Sequence, residues 1–480
     1  MDKHSLGAKE KLSYGLGAVG KDMVYMLSAS YVLYYYQDIL GVSPVAMGVI
    51  LMAARVFDAF NDPVMGVIVA KTKTRWGKFR PWLLIGTLTN AVVLYIMFSA
   101  PPSLDGAGLT AYAAAAYILW GVTYTMMDIP YWSMIPAFTE GGRERESLTT
   151  LARSCAGVGS AIITILTMIA VQNLGRAVGG PSASAREVER LGFQYFSLAV
   201  AVIFVLLIVF TCVSIREKST VDMETASVGQ MFRALLSNDQ TLTVVVAIVL
   251  INCSVYITSN LVIYFFKYDF GGSGWYNAYT LFNIFGGAVQ IFSMMLFYPF
   301  LRRFMNSLRI FYVSLGMAAA GYLVLLALAF TDMSSVFLLF IPAFFIFAAN
   351  GMLTVIVTVF LANTVDYGEL KNGRRDESVI FSMQTFVVKL ASGFAAFAAS
   401  VCLQVFSLSS EAASEAEQTM DFSASVAQSS RIGLRMTMTL LPIAGLIFAF
   451  FWFRKHYILT DEKLAEISEK RRESSLESTP

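Results

Sequence analysis

The stretch RVFDAFNDP, residues Arg55 to Pro63, lies in the middle of an apolar run long enough to cross a bilayer. Its carboxylates, Asp58 and Asp62, stand four positions apart and share one face of a helix, with Asn61 beside them. A charge near a bilayer centre costs about 2.5–3.5 kcal/mol on insertion scales. Two acids on one face are therefore expensive unless a positive species visits them. The direct reading is a cation site inside a membrane protein.

The rest of the chain has the composition this reading needs. Of its 480 residues, 56% are hydrophobic and 14% charged, and the mean hydropathy is +0.63. Apolar segments recur at 12–37, 44–70, 82–100, 108–138, 151–173, 194–215, 241–266, 275–300, 308–330, 335–363, 379–406 and 432–454. They predict an all-α polytopic membrane protein with twelve transmembrane helices in two six-helix halves. The expected division is an N-terminal bundle over 1–215, a cytoplasmic middle loop over 216–238, a C-terminal bundle over 239–455 and a cytoplasmic tail over 456–480. A basic turn after the second segment (TKTRWGKFRP) and another after the eighth (LRRFMNSLR) give a faint echo between the halves. The stretch 407–430, rich in Ser, Ala and Glu, reads as an outer loop.

Charges orient the chain. Loops after even-numbered segments carry Lys71, Lys73, Arg75, Lys78 and Arg80, then Arg143 and Arg145, then Arg216, Lys218 and Arg233. Arg302, Arg303, Arg309, Lys371, Arg374 and Arg375 continue that side, whereas the other side has Arg176, Arg186, Arg190, Lys267 and Arg431. The positive-inside rule then puts both termini in the cytoplasm. The polar start MDKHSLGAKEKLSYG carries no cleavable signal pattern. A net charge of +2 spread over short loops offers nothing to nucleic acid. The four cysteines fall in predicted helices without CxxC or Cys/His spacing, which argues against disulfides and zinc. His4 and His456 lie near the ends and leave no histidine proton relay. Tyr34–Tyr36 read as an interfacial aromatic belt.

Intramembrane polar residues concentrate in the first half: Lys21 and Asp22, the Arg55–Asp62 group, Asp128, and Arg153. The fourth segment reads WGVTYTMMDIPYW, in which Tyr124, Asp128 and Trp132 form one stripe at i, i+4, i+8. An acid beside a flat aromatic suits a sugar: the carboxylate accepts hydroxyl hydrogens and the indole stacks on the ring's C–H face. Lys21 and Arg153 supply donors, and Thr125 can offer an oxygen to a cation between the second and fourth helices. Plainer readings stand beside these. Arg55 with Asp58 or Asp62 makes a structural ion pair, Trp132 packs, and Arg153 snorkels. In the second half the main buried charge is Lys389.

The strings KLSYGLGAVGKD, YYYQD, RVFDAFNDPVMG, RWGKFRPWLLIGTL, YILWGVTYTMMDIPYWSMIP with RERESL, VDYGE and QTFVVK run in order along nearly the whole chain. Through them the sequence resembles the glycoside–pentoside–hexuronide:cation symporter family of the major facilitator fold, nearest its melibiose permease branch. The resemblance implies a Na+ site at Asp58, Asn61, Asp62 and Thr125. It implies galactoside contacts from Lys21, Asp22, Tyr124, Asp128, Trp132 and Arg153, joined by Gln384, Thr385 and Lys389, with Lys389 tuning the cation site and cavity. Two departures matter. Thr354 stands where the branch carries a tryptophan closing the sugar cavity, and Asn363 stands where relatives carry an acid.

The expected activity is symport of a melibiose-like galactoside with Na+, with Li+ or H+ as other coupling ions, by alternating access. A longer α-galactoside, a pentoside or a hexuronide is the alternative cargo. A membrane-embedded glycosidase using paired acids and a non-transporting sensor are remote readings. The expected partners are the glycoside, the cation and the bilayer, with no prosthetic group and a monomer as the functional unit.

Overall fold

The computed structural model describes residues 6–135, 142–215, 228–272, 274–331, 333, 335–372, 377–408 and 421–477. His4, Arg216, Lys218, Arg374 and Arg375, the middle-loop residues 216–227 and the loop residues 409–420 lie outside the described residues.

The described chain is helical. The first six long helices are α1 (Ala8–Tyr34), α2 (Pro44–Lys71), α3 (Arg80–Met97), α4 (Gly106–Ser133), α5 (Gly142–Gly179) and α6 (Ala185–Ser214). A short linker helix, Val228–Ser237, precedes α7 (Asp239–Tyr264), α8 (Trp275–Phe292), α9 (Ser307–Ala329), α10 (Val336–Asn372), α11 (Glu377–Val405) and α12 (Gln428–His456). A tail helix spans Asp461–Glu477. These helices fall on the twelve expected segments, and several run past them. α10 continues to Asn372 through VDYGELKN, and α5 begins at Gly142 through RERESL. Hydropathy marks the bilayer-facing part of a helix, whereas Glu, Arg and Leu have helix propensity enough to prolong it into water.

Ten described helices are long and apolar enough to cross a membrane. α1 and α4 are not among those ten yet match them in length at 27 and 28 residues; α1 also carries Lys9, Glu10, Lys11, Lys21 and Asp22. Large apolar side chains on helix surfaces, such as Val202, Leu206 and Val213 of α6, stay exposed, as lipid-facing positions do.

Local chemistry sets the helix starts. The Glu10 carboxylate accepts from the Gly7 amide at 2.9 Å, and Ser184 Oγ accepts from the Glu187 amide at 3.2 Å. Asn238 Oδ1 accepts from the amides of Gln240 and Thr241, both at 3.1 Å. Pro44 opens α2, where a missing N–H costs nothing. Pro63, the residue after Asp62, sits inside the same helix and removes the bond that the carbonyl of Ala59, the residue after Asp58, would otherwise accept.

The chain packs as two compact units. The first is Met1–Thr225 with Phe266–Thr280 and Leu403–Ala427; the second is Ala226–Phe265, Leu281–Cys402 and Gln428–Pro480. Within the first, α1 packs on α5 and α6, α3 on α4 and α6, and α2 on α4. Within the second, α9 packs on α10 and α12, and α7 on α12 and α10. α5 and α6 approach so closely that glycine is required on both. A Cβ on Gly175 would lie 1.8 Å from the Val188 carbonyl oxygen, and one on Gly192 would lie 2.1 Å from that of Val171. At one end of α1, Tyr14 and Tyr131 stack at 4.4 Å between centroids, and each hydroxyl donates to the other residue's carbonyl.

Candidate binding site in the first unit

α2 and α4 set the two acids in register. On α2, Asp58 lies one turn before Asp62; on α4, Gly121 lies one turn before Thr125. The carboxylate of Asp58 sits over Gly121, where a Cβ would meet Oδ1 at 2.7 Å. Thr125 Oγ1 donates to Asp62 Oδ1 at 2.9 Å. A glycine and a threonine at consecutive turns of α4 thus receive the two acids of α2. Asp58 is buried and lies 3.5 Å from Arg55 Nη1, so the ion pair read from the sequence as an alternative is present. Asn61 Nδ2 is buried and makes no hydrogen bond among the described residues. Among the described residues, no group of three or more His, Cys, Asp or Glu gathers as a metal site.

The second cluster is centred on Lys21, which is 4% exposed. Its ammonium donates to Tyr124 Oη at 3.0 Å, lies 2.8 Å from Asp128 Oδ1 and 3.5 Å from Asp22 Oδ2, and sits over the Trp132 ring at 5.2 Å. Trp132 Nε1 donates to Asp128 Oδ1 at 3.1 Å, across one turn of α4. The Arg153 guanidinium stacks on the other component of this group, lying 4.1 Å from the Trp132 ring centroid. Arg153 is exposed and lies over the Trp132 ring, so Trp132 is held by both a hydrogen bond and a cation. All six residues expected to touch sugar in the first half come together on α1, α4 and α5.

An aromatic run joins the two clusters, and the sequence reading passed over it. Tyr25 of α1 packs against Tyr124 at 5.6 Å and against Trp120 at 6.4 Å between centroids, and the Arg55 guanidinium lies 5.9 Å from the Tyr25 ring. Asp58, Arg55, Tyr25, Tyr124, Lys21 and Asp128 are thus successive neighbours. Tyr25 lies four residues beyond Lys21, one helical turn, which is the signal that would have found it.

In the second unit, Gln384 Nε2 donates to Thr358 Oγ1 at 3.3 Å, which ties α11 to α10. Thr354 and Thr358 are exposed on α10 and return their hydroxyls to the carbonyls of Asn350 and Thr354, at 2.8 and 3.1 Å. Thr385 is exposed and Lys389 is half-buried.

Two expectations are corrected. Tyr34, Tyr35 and Tyr36 are not an interfacial belt: all three are fully buried, with hydroxyls donating to Glu189, the Phe98 carbonyl and the Met97 carbonyl. Lys267 is not a loop charge: it is 3% exposed, against the half-buried Lys389, and so is the more deeply buried lysine of the later half. Both errors have one cause. α1 and α7 each end in a π turn, Tyr35–Ile39 and Phe265–Phe270. The wider turn rotates side chains off the face that ordinary helical spacing assigns.

The chain matches the family described as "MFS/sugar transport protein" over residues 13–461. It is 28% identical to the "Inner membrane symporter YicJ" of Escherichia coli (strain K12), over 82% of each chain. It is 26% identical to the "Lactose permease" of Lactobacillus delbrueckii subsp. bulgaricus, over 95% of this chain and 71% of the relative. Among solved structures, a bacterial homologue of the human lysosomal transporter Spinster superposes with a TM-score of 0.64 at 13% identity, covering 93% of this chain and 95% of that one. This likeness carries the fold. With a family match spanning nearly the whole chain, the protein belongs to the MFS/sugar transport protein family, a family of multi-pass membrane transporters and not of enzymes.

Proposed function

We propose that the chain is a secondary transporter that carries a galactoside of melibiose type together with Na+, with Li+ or H+ as substitute coupling ions. The observation that carries this reading is the coupling of two clusters on neighbouring helices. The acids of α2 face Gly121 and Thr125 of α4, and three turns of the same α4 present Tyr124, Asp128 and Trp132 to Lys21 and Arg153. Asp58 and Asp62, with the Thr125 hydroxyl and Asn61, are oxygen donors of the kind a small monovalent cation takes. Asp22 and Asp128 accept sugar hydroxyls, and Trp132 offers its face to the apolar side of the ring.

Charge balance favours a neutral sugar over a hexuronide. Lys21 and Arg153 are matched by Asp22 and Asp128, so no net positive charge is left for a substrate carboxylate. The relatives named for lactose and for symport support cation-coupled glycoside transport. Gln384, Thr385 and Lys389 add contacts from the later helices. Thr354, small and polar, enlarges the wall there and admits a sugar longer than a disaccharide. The positive-inside bias supports cytoplasmic termini in a bacterial inner membrane, and the 1–215 and 239–455 bundles are the two moving halves, in a monomer.

Cation binding at Asp58 and Asp62 neutralises buried acid, lets α2 and α4 settle, and through Arg55 and Tyr25 orders Tyr124 and Lys21. Coupling is reciprocal: the factor by which Na+ raises sugar affinity is the factor by which sugar raises Na+ affinity. The test is uptake of labelled melibiose by transporter-deficient bacterial cells, with and without Na+, at two values of pH. Na+-stimulated uptake that disappears in Asp58→Cys is the expected result. Full stimulation in Asp58→Cys removes the cation site from α2, and Na+-dependent uptake of raffinose alone moves the error to the Thr354 wall.

A further inference from the structure

By the positive-inside assignment the side away from the termini carries few basic residues, yet two of them, Arg186 and Arg190, stand together. They lie one turn apart on α6 and share a face. Both line a cavity of about 330 Å³ within the first unit, where α1 and α3 end and α4 and α6 begin. The walls facing them are apolar: Ile39 from the π turn after α1, with Pro101, Leu104 and Leu109 from the α3–α4 connection and the start of α4.

Local chemistry holds this cavity open. Tyr35 Oη donates to the Phe98 carbonyl at 3.0 Å and Tyr36 Oη to the Met97 carbonyl at 2.7 Å, which fixes the end of α3 against the end of α1. Pro101 and Pro102 stiffen the connection and bring no N–H to be satisfied. The Leu104 amide then donates to the Pro101 carbonyl at 3.2 Å and closes a turn. Opposite, Ser184 caps α6 through the Glu187 amide, which sets the turn that carries Arg186.

Among the described residues one acid lines the cavity, Glu187. Its Oε1 lies 4.0 Å from Arg190 Nη2, and its side chain is 52% exposed. A loose pair in water contributes little, so two arginines against one glutamate leave the cavity positive. Guanidinium forks match the oxygens of a phosphate, which accept paired N–H bonds. The volume stands at the small end of the roughly 300–1,000 Å³ that ligand sites occupy, which suits a headgroup and not a whole lipid. Apolar surface for the remainder lies on the same helices: Val92 and Ile96 of α3 and Leu198 and Val202 of α6 are 40–59% exposed, and α3 packs on α6. We propose that Arg186 and Arg190 form a binding site for an anionic phosphate group, carried by a lipid headgroup or free in solution. The exposed track on α3 and α6 favours the lipid. The site depends on neither the sugar nor the cation.

The test is thermal unfolding of the purified full chain in uncharged detergent, titrated with phosphatidylglycerol or with inorganic phosphate. A ligand of the folded protein raises the unfolding temperature in proportion to its occupancy. The expected result is stabilisation of the parent, with the half-saturating concentration about thirtyfold higher in the double variant Arg186→Gln, Arg190→Gln, or about fivefold for each arginine removed. The double variant Arg176→Gln, Lys9→Gln removes the same charge at exposed residues outside the cavity and should respond as the parent does. Pro102→Glu places an acid at an exposed lining position without touching either arginine, and its expected weakening serves if the first variant does not fold. Arginine-dependent stabilisation by phosphatidylglycerol alone assigns the site to a lipid headgroup; the same dependence with inorganic phosphate assigns it to a free phosphate. No stabilisation of the parent by either probe overturns the proposal. So does equal weakening in the Arg176, Lys9 control, because that reports overall charge rather than a site.

Discussion

Adding a single methyl group at Gly121 should weaken cation binding while leaving the fold intact. A Cβ there meets Asp58 Oδ1 at 2.7 Å, whereas ordinary contact begins at 3.4 Å, so the carboxylate must retreat by 0.7 Å. The obstructing atom ends a side chain and is not backbone, so rotation of Asp58 relieves the clash without moving α2. Moving a unit charge from about 2.5 to about 3.2 Å from a monovalent cation, at an effective dielectric of about 20, weakens the attraction by about 1.5 kcal/mol. That corresponds to about a tenfold rise in the Na+ concentration for half-maximal stimulation. The assay is uptake or sugar binding against Na+ concentration in Gly121→Ala, with Gly157→Ala as control because a Cβ there meets nothing within 4 Å. An unchanged Na+ requirement in Gly121→Ala, with normal membrane levels, would refute the placement of Asp58 in the cation site.

Other substitutions separate the parts. Thr125→Val removes the hydroxyl that holds Asp62 and should raise the Na+ requirement without changing which sugars are bound. Lys21→Met leaves Asp22 and Asp128 without their central partner; loss of a buried partner costs about 3–5 kcal/mol, readable as a lower unfolding temperature together with lost sugar binding. Trp132→Phe keeps a stacking face but drops the donor to Asp128, and should weaken sugar binding by about 0.5–1.5 kcal/mol, measured by equilibrium binding. Gly175→Ala drives a methyl into the Val188 carbonyl and should cost about 1–3 kcal/mol or more, seen as reduced thermal stability with unaltered sugar preference in the protein that folds. Thr354→Trp should depress uptake of a trisaccharide more than that of a disaccharide.

Hydropathy was enough for the order of most helices, because a bilayer core demands a minimum apolar length of every span; α1 and α4 are not among the ten helices long and apolar enough to cross a membrane. Helix ends were less legible, as the polar extension of α10 to Asn372 illustrates. Within the binding cluster, the stripe Tyr124, Asp128 and Trp132 is written in i, i+4 spacing, and the hydrogen bond from Trp132 to Asp128 follows that spacing directly. The pairing of Asp58 with Gly121 is not written anywhere local. It depends on the register between α2 and α4, and a glycine in a helix carries no sign of what it admits. The burial of Lys267 was hidden for a different reason. Near the end of a span a lysine reads as a topology signal, and only the π turns bring Asp38 and Lys267 inward.

The most direct test of the account is accumulation by the purified full-length chain in proteoliposomes. An imposed inward Na+ gradient and an interior-negative potential are applied, and internal labelled melibiose is measured against external. Each charge moved inward gains about 2.3 kcal/mol per 100 mV, enough for about fifty-fold accumulation if one cation enters per sugar. The account predicts internal sugar well above external, collapsing when the gradients are dissipated and absent in Asp58→Cys. Internal sugar that only equals external under every gradient, for melibiose, raffinose and a glucuronide alike, would contradict cation-coupled glycoside transport.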